Sequence, residues 1–376
     1  MAYLITETGA ELIQDVKRFC ELEVYKQSTQ WDREGHASEH ILQMMREMGY
    51  YSLTIPEAYG GLGLEAVDIA AVLEEIAKAD AGLAVSIAGS NLALRAVLAG
   101  GTEEQKEEIC GRIAEGQIGA FCLTEAEAGS DALNTKTRAV QLADGSWELT
   151  GTKQFITNGS IADFYVVAAV IEGESKPQLF LVDAGIAGLT FGQPEEKLGI
   201  RSCDTCEVQL NGCRVSADAL VGGGAKSVLA ALNEGRALMA AMAVGTAQRA
   251  MEEAMKYGKE RKQFGKAITE NQAIQFRLAD MQIKIEAARQ LTAHALQKMD
   301  AGMDFSAEAA MAKAFAADTA IEVTGSAMDV FGGYGFMTHF PAEKLLRDAR
   351  VFQIIEGTGE MQRSVVAAHL LKEGRR

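Results

Sequence analysis

The chain has 376 residues, 48% of them hydrophobic, with 52 acidic against 36 basic side chains and a formal charge of −16. That much apolar content fills two or three cores, which excludes a largely disordered chain. The acidic excess excludes nucleic acid as the main partner, because a polyphosphate backbone is held by clustered Lys and Arg.

From Ala10 to about Arg112 the segments 11–24, 37–50 and 64–80 place apolar residues three and four apart and read as helices. Between them PEAYGGLGL, 56–64, is a Pro and Gly break, and Thr102 is an N-cap ahead of an acidic first turn. After Gly116 the texture turns to short β-branched and aromatic runs at 118–125, 135–159, 163–171, 178–184 and 205–216. The DG dipeptide in RAVQLADGSWEL predicts a hairpin. Long alanine-rich helical segments follow at 237–261, 270–299 and 306–331, with a last one at 365–373. The expected fold is α+β: an N-terminal helical domain over 1–115, a middle antiparallel β domain over 116–224 and a C-terminal four-helix bundle over 225–376.

Six scattered cysteines, and first residues without a basic segment followed by an apolar one, lead to the expectation of reduced thiols in a cytoplasmic protein. Wholly apolar runs such as 237–245 are shorter than the roughly 18 residues of a membrane span. Cys203 and Cys206 have C-x-x-C spacing but no second pair, and the five histidines show no ligand spacing, so no metal site is expected. FGGYGF, 331–336, follows a helix rather than a strand and by itself reads as a helix end and turn. Glu356, between Ile355 and Gly357, has two readings: a carboxylate in a dry cavity, its pKa raised toward that of a general base, or a solvated turn residue.

Taken together and in this order, CLTEAEAGSD (122–131), KQFITNG (153–159), RKQFG (261–265) with Gln272, FGGYGF and IIEGTGEMQR (354–363) resemble the acyl-CoA dehydrogenase family over essentially the whole chain. The resemblance implies FAD between the β domain and the C-terminal helices. It gives Leu123, Thr124, Gly129 and Ser130 to the flavin or the thioester, and sets Phe155 and Thr157 against the isoalloxazine. Arg261, Phe264 and Gln272 reach the FAD of a neighbouring subunit, Gly332 and Gly333 its pyrophosphate, and Thr358 and Glu360 its ribityl and adenosine portions. Asp329 stands where glutamine is common beside the pyrophosphate, and left unpaired its carboxylate would repel it. Ser130, Asn233, Arg236, Ile355 and Gly357 face the acyl-CoA.

In this frame Glu356 removes the α proton while the β hydrogen leaves as hydride to the flavin, giving a trans-2-enoyl-CoA. Gly235 occupies the place from which some relatives supply the base instead. Ala84 stands where glutaryl-CoA relatives carry an arginine, which points away from dicarboxylic substrates; Ala88, Gly89 and Ser90 on the same helix do not separate short, medium and branched chains, and the expectation leans to short or branched ones. Electron-transfer flavoprotein as acceptor and a homotetramer, a dimer of dimers, complete the expectation. The alternatives are operation as an enoyl-CoA reductase, an acyl-CoA oxidase, and a non-catalytic acyl-CoA binding or scaffold protein.

Overall fold

The computed structural model describes residues 5–373; positions 1–4 and 374–376, the outer edges of two expected domains, lie outside the described residues. Among the described residues six α-helices come first: α1 (Glu7–Phe19), α2 (Ser28–Glu34), α3 (Glu39–Glu47), α4 (Ala66–Ala79), α5 (Ala81–Gly100) and α6 (Glu103–Ala114). Their starts are set by side-chain caps. Thr6 accepts from Gly9 N–H, Ser38 from Ile41 N–H, Asp80 from Gly82 and Leu83 N–H, and Thr102 forms a reciprocal capping box with Gln105. Helix α5 is apolar almost all round because it runs through the middle of the molecule, packed by α4 on one side and by the sheet on another.

Eight strands then form one sheet in the order β6-β7-β3-β2-β4-β5-β8, with β1 beside β4: β1 (Gly119–Cys122), β2 (Arg138–Gln141), β3 (Trp147–Thr157), β4 (Phe164–Ile171), β5 (Pro177–Asp183), β6 (Leu189–Phe191), β7 (Thr205–Val215) and β8 (Leu220–Val221). The DG hairpin forms between β2 and β3, with Gly145 in the left-handed region of its loop. Most pairings are antiparallel, but β1 and β2 both run parallel to β4. After β1 the chain turns at 123–131 and continues along the same edge of β4, so that β1 and β2 lie end to end beside one strand, an arrangement that alternating sequence runs do not encode.

The remaining helices are α7 (Gly224–Glu260), α8 (Gln272–Asp300), α9 (Ser306–Phe331), the short α10 (Ala342–Ala349) and α11 (Gly359–Glu373), with a two-stranded ribbon, β9 (Lys262–Gln263) and β10 (Lys266–Ala267), between α7 and α8. Helices α7, α8, α9 and α11 pack as the expected bundle. Small residues let their backbones approach: a side chain at Gly245 of α7 would collide with the Glu74 carbonyl of α4. Helices α5 and α7 are long and apolar enough to cross a membrane by composition, unlike the shorter unbroken runs, yet most of that surface is buried inside the fold. All six cysteines are buried and free; burial pushes the Cys203 and Cys206 thiols up to about 12.

Candidate active site

Among the described residues five non-glycines have positive φ: Phe155, Asn158, Ile200, Phe264 and Glu356. Three of them, Phe155, Phe264 and Glu356, are among the residues singled out from sequence. Such a conformation costs about 1–3 kcal/mol and persists only where the surroundings enforce it, which is why it gathers at functional sites.

Glu356 lies in the turn between α10 and α11, at φ 55. Part of the residue stays open, but its Oε2 is buried without a hydrogen-bond partner. Burial raises the carboxyl pKa to about 7, against the opposing pull of Arg236 and Lys313. On α7, Gly235 faces it: a Cβ there would sit 2.9 Å from Glu356 Oε2 and 3.3 Å from Leu92 Cδ1 of α5. The carboxylate therefore occupies the space a side chain at 235 would take.

The turn is held from behind through its carbonyls. Glu356 O accepts from Gln362 Nε2 at 3.0 Å and Arg236 Nε at 3.4 Å, and Gly357 O accepts from Gln362 Nε2 at 2.9 Å and Lys313 Nζ at 2.6 Å. Among the described residues the Glu356 N–H meets no acceptor. Arg236 also donates to Asn233 Oδ1 at 2.7 Å, and Asn233 Nδ2 to Ser306 Oγ at 3.1 Å. Ile355 and Gly357 flank Glu356 half-buried, and Thr358 Oγ1 accepts from Met361 N–H at the start of α11, where Glu360 is exposed.

The β domain reaches the same region along α5. Gly89 packs so closely on the end of β3 that a Cβ would lie 2.6 Å from Thr157 Cγ2. Ser86 Oγ donates to Asn158 Oδ1 at 2.7 Å, and Gly119 N–H donates to Ser90 Oγ at 3.0 Å. A register shift in β3 after Lys153 turns the Phe155 ring outward, 62% exposed. Beside it, Gln154 N–H donates to Thr124 O at 2.9 Å and Lys153 Nζ to Leu123 O at 3.2 Å, so 123–124 and 153–155 lie together, with Gly129 and Ser130 exposed on the adjoining turn. Directed backbone and hydroxyl groups beside a free aromatic face fit a flavin ring.

Arg261, Phe264 and Gln272 are brought together elsewhere, at the exposed β9–β10 ribbon and the start of α8. The Arg261 guanidinium lies 5.6 Å over the Tyr334 ring, and Phe264 is 98% exposed. Gly332 and Gly333 follow α9 with open space where a Cβ would be. Asp329 is not an unpaired carboxylate: Arg277 Nη1 donates to it at 2.5 Å, which removes the expected repulsion at this end.

Sequence reasoning passed over Lys313 and Gln362, both buried behind the Glu356 turn. A signal for Lys313 existed: it is the lone cation on the alanine face of α9, at helical spacing from the buried Ala309, Ala310, Ala316 and Ala317.

Three family models cover nearly the whole chain: acyl-CoA dehydrogenase N-terminal domain over residues 6–117, middle domain over 120–213 and C-terminal domain over 222–371. A probable acyl-CoA dehydrogenase of Mycobacterium tuberculosis is 38% identical, covering 98% of this chain and 97% of the relative. The structure of butyryl-CoA dehydrogenase from Megasphaera elsdenii superposes with a TM-score of 0.95 at 36% identity, covering 99% of this chain and all of that one. A chain from work on the electron transferring flavoprotein of Acidaminococcus fermentans superposes with a TM-score of 0.95 at 38% identity and the same coverage.

Proposed function

Because the chain belongs to the acyl-CoA dehydrogenase family of FAD-dependent oxidoreductases, we propose that Glu356 is the base that takes the α proton from its acyl-CoA substrate. The observation that carries this is the buried, unpartnered Glu356 Oε2, aimed at Gly235 and backed by Arg236 and Lys313. A desolvated carboxylate with a pKa of about 7 has the basicity that proton abstraction from a weak carbon acid needs. The Glu356 N–H, with no acceptor among the described residues, is available to the thioester carbonyl oxygen as negative charge develops there. Bound FAD supplies the acceptor for the β hydrogen, which leaves as hydride, so the product is a trans-2-enoyl-CoA. Leu123, Thr124, Gly129, Ser130, Phe155 and Thr157 hold the flavin end, and Asn233 and Arg236 the CoA side.

Arg261, Phe264 and Gln272 stand away from Glu356 on a surface that also exposes Phe276, Tyr334 and Phe336. Exposed aromatic groups of this size suit a second copy of the chain, and in the reading offered here they reach that copy's FAD within a homotetramer. Short-chain acyl-CoA as substrate, electron-transfer flavoprotein as acceptor and a cytoplasmic location belong to the same reading. It is supported by the names of the relatives and by Ala84, which is fully buried on α5 and offers no charge to a distal carboxylate.

Anaerobic titration of the yellow protein with straight and branched acyl-CoAs tests the reaction. Bleaching of the flavin band is expected, and a protein that no thioester bleaches is not working as a dehydrogenase. Glu356→Gln is expected to keep FAD and ligand but bleach at least about 10²-fold more slowly. An unchanged rate would move the base elsewhere.

A further inference from the structure

Lys313 is 1% exposed, and its one hydrogen bond among the described residues runs to the Gly357 carbonyl oxygen at 2.6 Å. Among the described residues it makes no ion pair within 4.0 Å. A buried ammonium without a counter-ion is costly, so its retention needs a reason beyond packing. The groups whose charge acts on it are few. Glu356 and Arg236 are the strongest, followed by Asp318 of its own helix and Glu360 of α11. Asp318 is already engaged by Arg363 at 2.8 Å and Gln353 at 2.7 Å, and Glu360 is exposed. From the other side, the charges acting on Glu356 are those of Arg236, on α7, and Lys313, on α9.

Resting on the reading of Glu356 as the base, we propose that Lys313 is a positioning residue for it: the buried ammonium clamps the Gly357 carbonyl, which keeps the turn at positive φ, and places a positive charge behind the carboxylate that must ionise.

The two roles act through one atom. With its carbonyls held by Lys313, Gln362 and Arg236, the turn keeps the Glu356 carboxylate against Gly235, and the Glu356 N–H has no acceptor among the described residues. Burial lowers the Lys313 pKa to about 8 and raises that of Glu356 to about 7, and the charge of each opposes the shift of the other. Removing the charge leaves desolvation of Glu356 less opposed and moves its titration upward.

The test uses FAD-loaded wild type, Lys313→Met, Lys313→Gln and Lys313→Arg. Flavin content shows which variants fold. The pH dependence of anaerobic bleaching at saturating acyl-CoA is measured for each, and the Glu356 carboxyl stretch is followed by infrared difference against Glu356→Gln, which needs no turnover. Met removes charge and donor, Gln keeps a donor without the charge, and Arg keeps the charge. The midpoint is expected to rise by about one unit in Met and Gln, making bleaching at pH 7 about fivefold slower, while Arg stays near wild type. If Met does not hold FAD, Gln decides. Wild-type midpoints in both Met and Gln would reduce Lys313 to a packing residue, and an equal shift in Arg would do the same. If wild type does not bleach, or Glu356→Gln bleaches normally, it is the base assignment that fails, and the infrared midpoints still report whether Lys313 governs the carboxyl group.

Discussion

Gly235 decides where the Glu356 carboxylate can stand. In the middle of α7 a glycine costs about 0.5–1 kcal/mol relative to alanine, so its presence asks for a local reason, and the reason is the 2.9 Å that would separate a Cβ from Oε2. Gly235→Ala is therefore expected to split stability from activity. The helix gains propensity while the carboxylate, the movable end of a side chain, is pushed aside, so Tm holds or rises slightly and acyl-CoA-dependent bleaching slows between about tenfold and 10²-fold. Thermal unfolding and stopped-flow bleaching on one preparation check this. Full activity in the alanine variant would mean the carboxylate tolerates displacement and that Gly235 is retained for packing against Leu92 alone.

At the scale of elements, the turn after β1 is held by a carboxylate that sequence reading treated as part of a motif and nothing more. Glu125 is buried and accepts from Thr135 and Thr137 hydroxyls, from Lys136 and Thr137 N–H, and from Lys153 Nζ at 2.8 Å. Burial works against its charge, but Lys153 and the hydroxyls hold its pKa down to about 2. A folded pKa below the ordinary 4.5 means that this group stabilises the fold above the ordinary value, and that the contribution fades as pH falls toward 2. Lys153→Met strands a buried carboxylate and is expected to cost about 3–5 kcal/mol, with much of it recovered by adding Glu125→Gln. Calorimetry and FAD retention of the single and double variants measure this, and an unchanged Tm in the single variant would remove the network from the account of the turn. The example also shows what was legible. Helix starts at Thr102 and the 138–150 hairpin are local and could be read directly. The parallel return of β1 and β2 to β4, the outward turn of Phe155 and the placing of Lys153 under 123–125 depend on contacts between distant segments, which alternation and spacing do not carry. Glu356 itself was ambiguous on local pattern, and only the order of four other, distant motifs favoured the base; Lys313, though at helical spacing, had no motif to mark it.

Across the whole molecule, the three parts meet at one buried charge cluster. Asp80 caps α5, and its carboxylate accepts from Ser28 of α2 and Ser202 of the loop before β7. Lys344 of α10 lies 3.2 Å from Asp80 and 2.6 Å from Asp348, and Asp348 accepts from Ile200 N–H at 2.6 Å, where the chain adopts φ 46. Next to it Arg347 grips Asp32 of α2 through both terminal nitrogens, at 2.9 and 2.6 Å, and reaches Leu198 O. Burial disfavours the Asp80 charge, but Lys344 and the serine hydroxyls hold its pKa below the usual carboxylate range. Two carboxylates from different parts of the chain thus share one ammonium, and α10, which precedes the Glu356 turn, is fixed through it to both the N-terminal helices and the sheet. Lys344→Met keeps the stem volume and removes the charge between the two acids. With a buried-pair cost of about 3–5 kcal/mol spread over a chain this long, the apparent Tm is expected to fall by about 5 °C. Since α10 leads directly into 350–358, flavin bleaching should slow as well, although residue 344 is not part of the site. Calorimetry of the FAD-loaded variant is the measurement. One transition shifted downward means the cluster acts as a common lock, two separated transitions mean it was what coupled the sheet to the helices, and a Tm within about 1 °C of wild type would show that the three parts are held by their apolar faces alone.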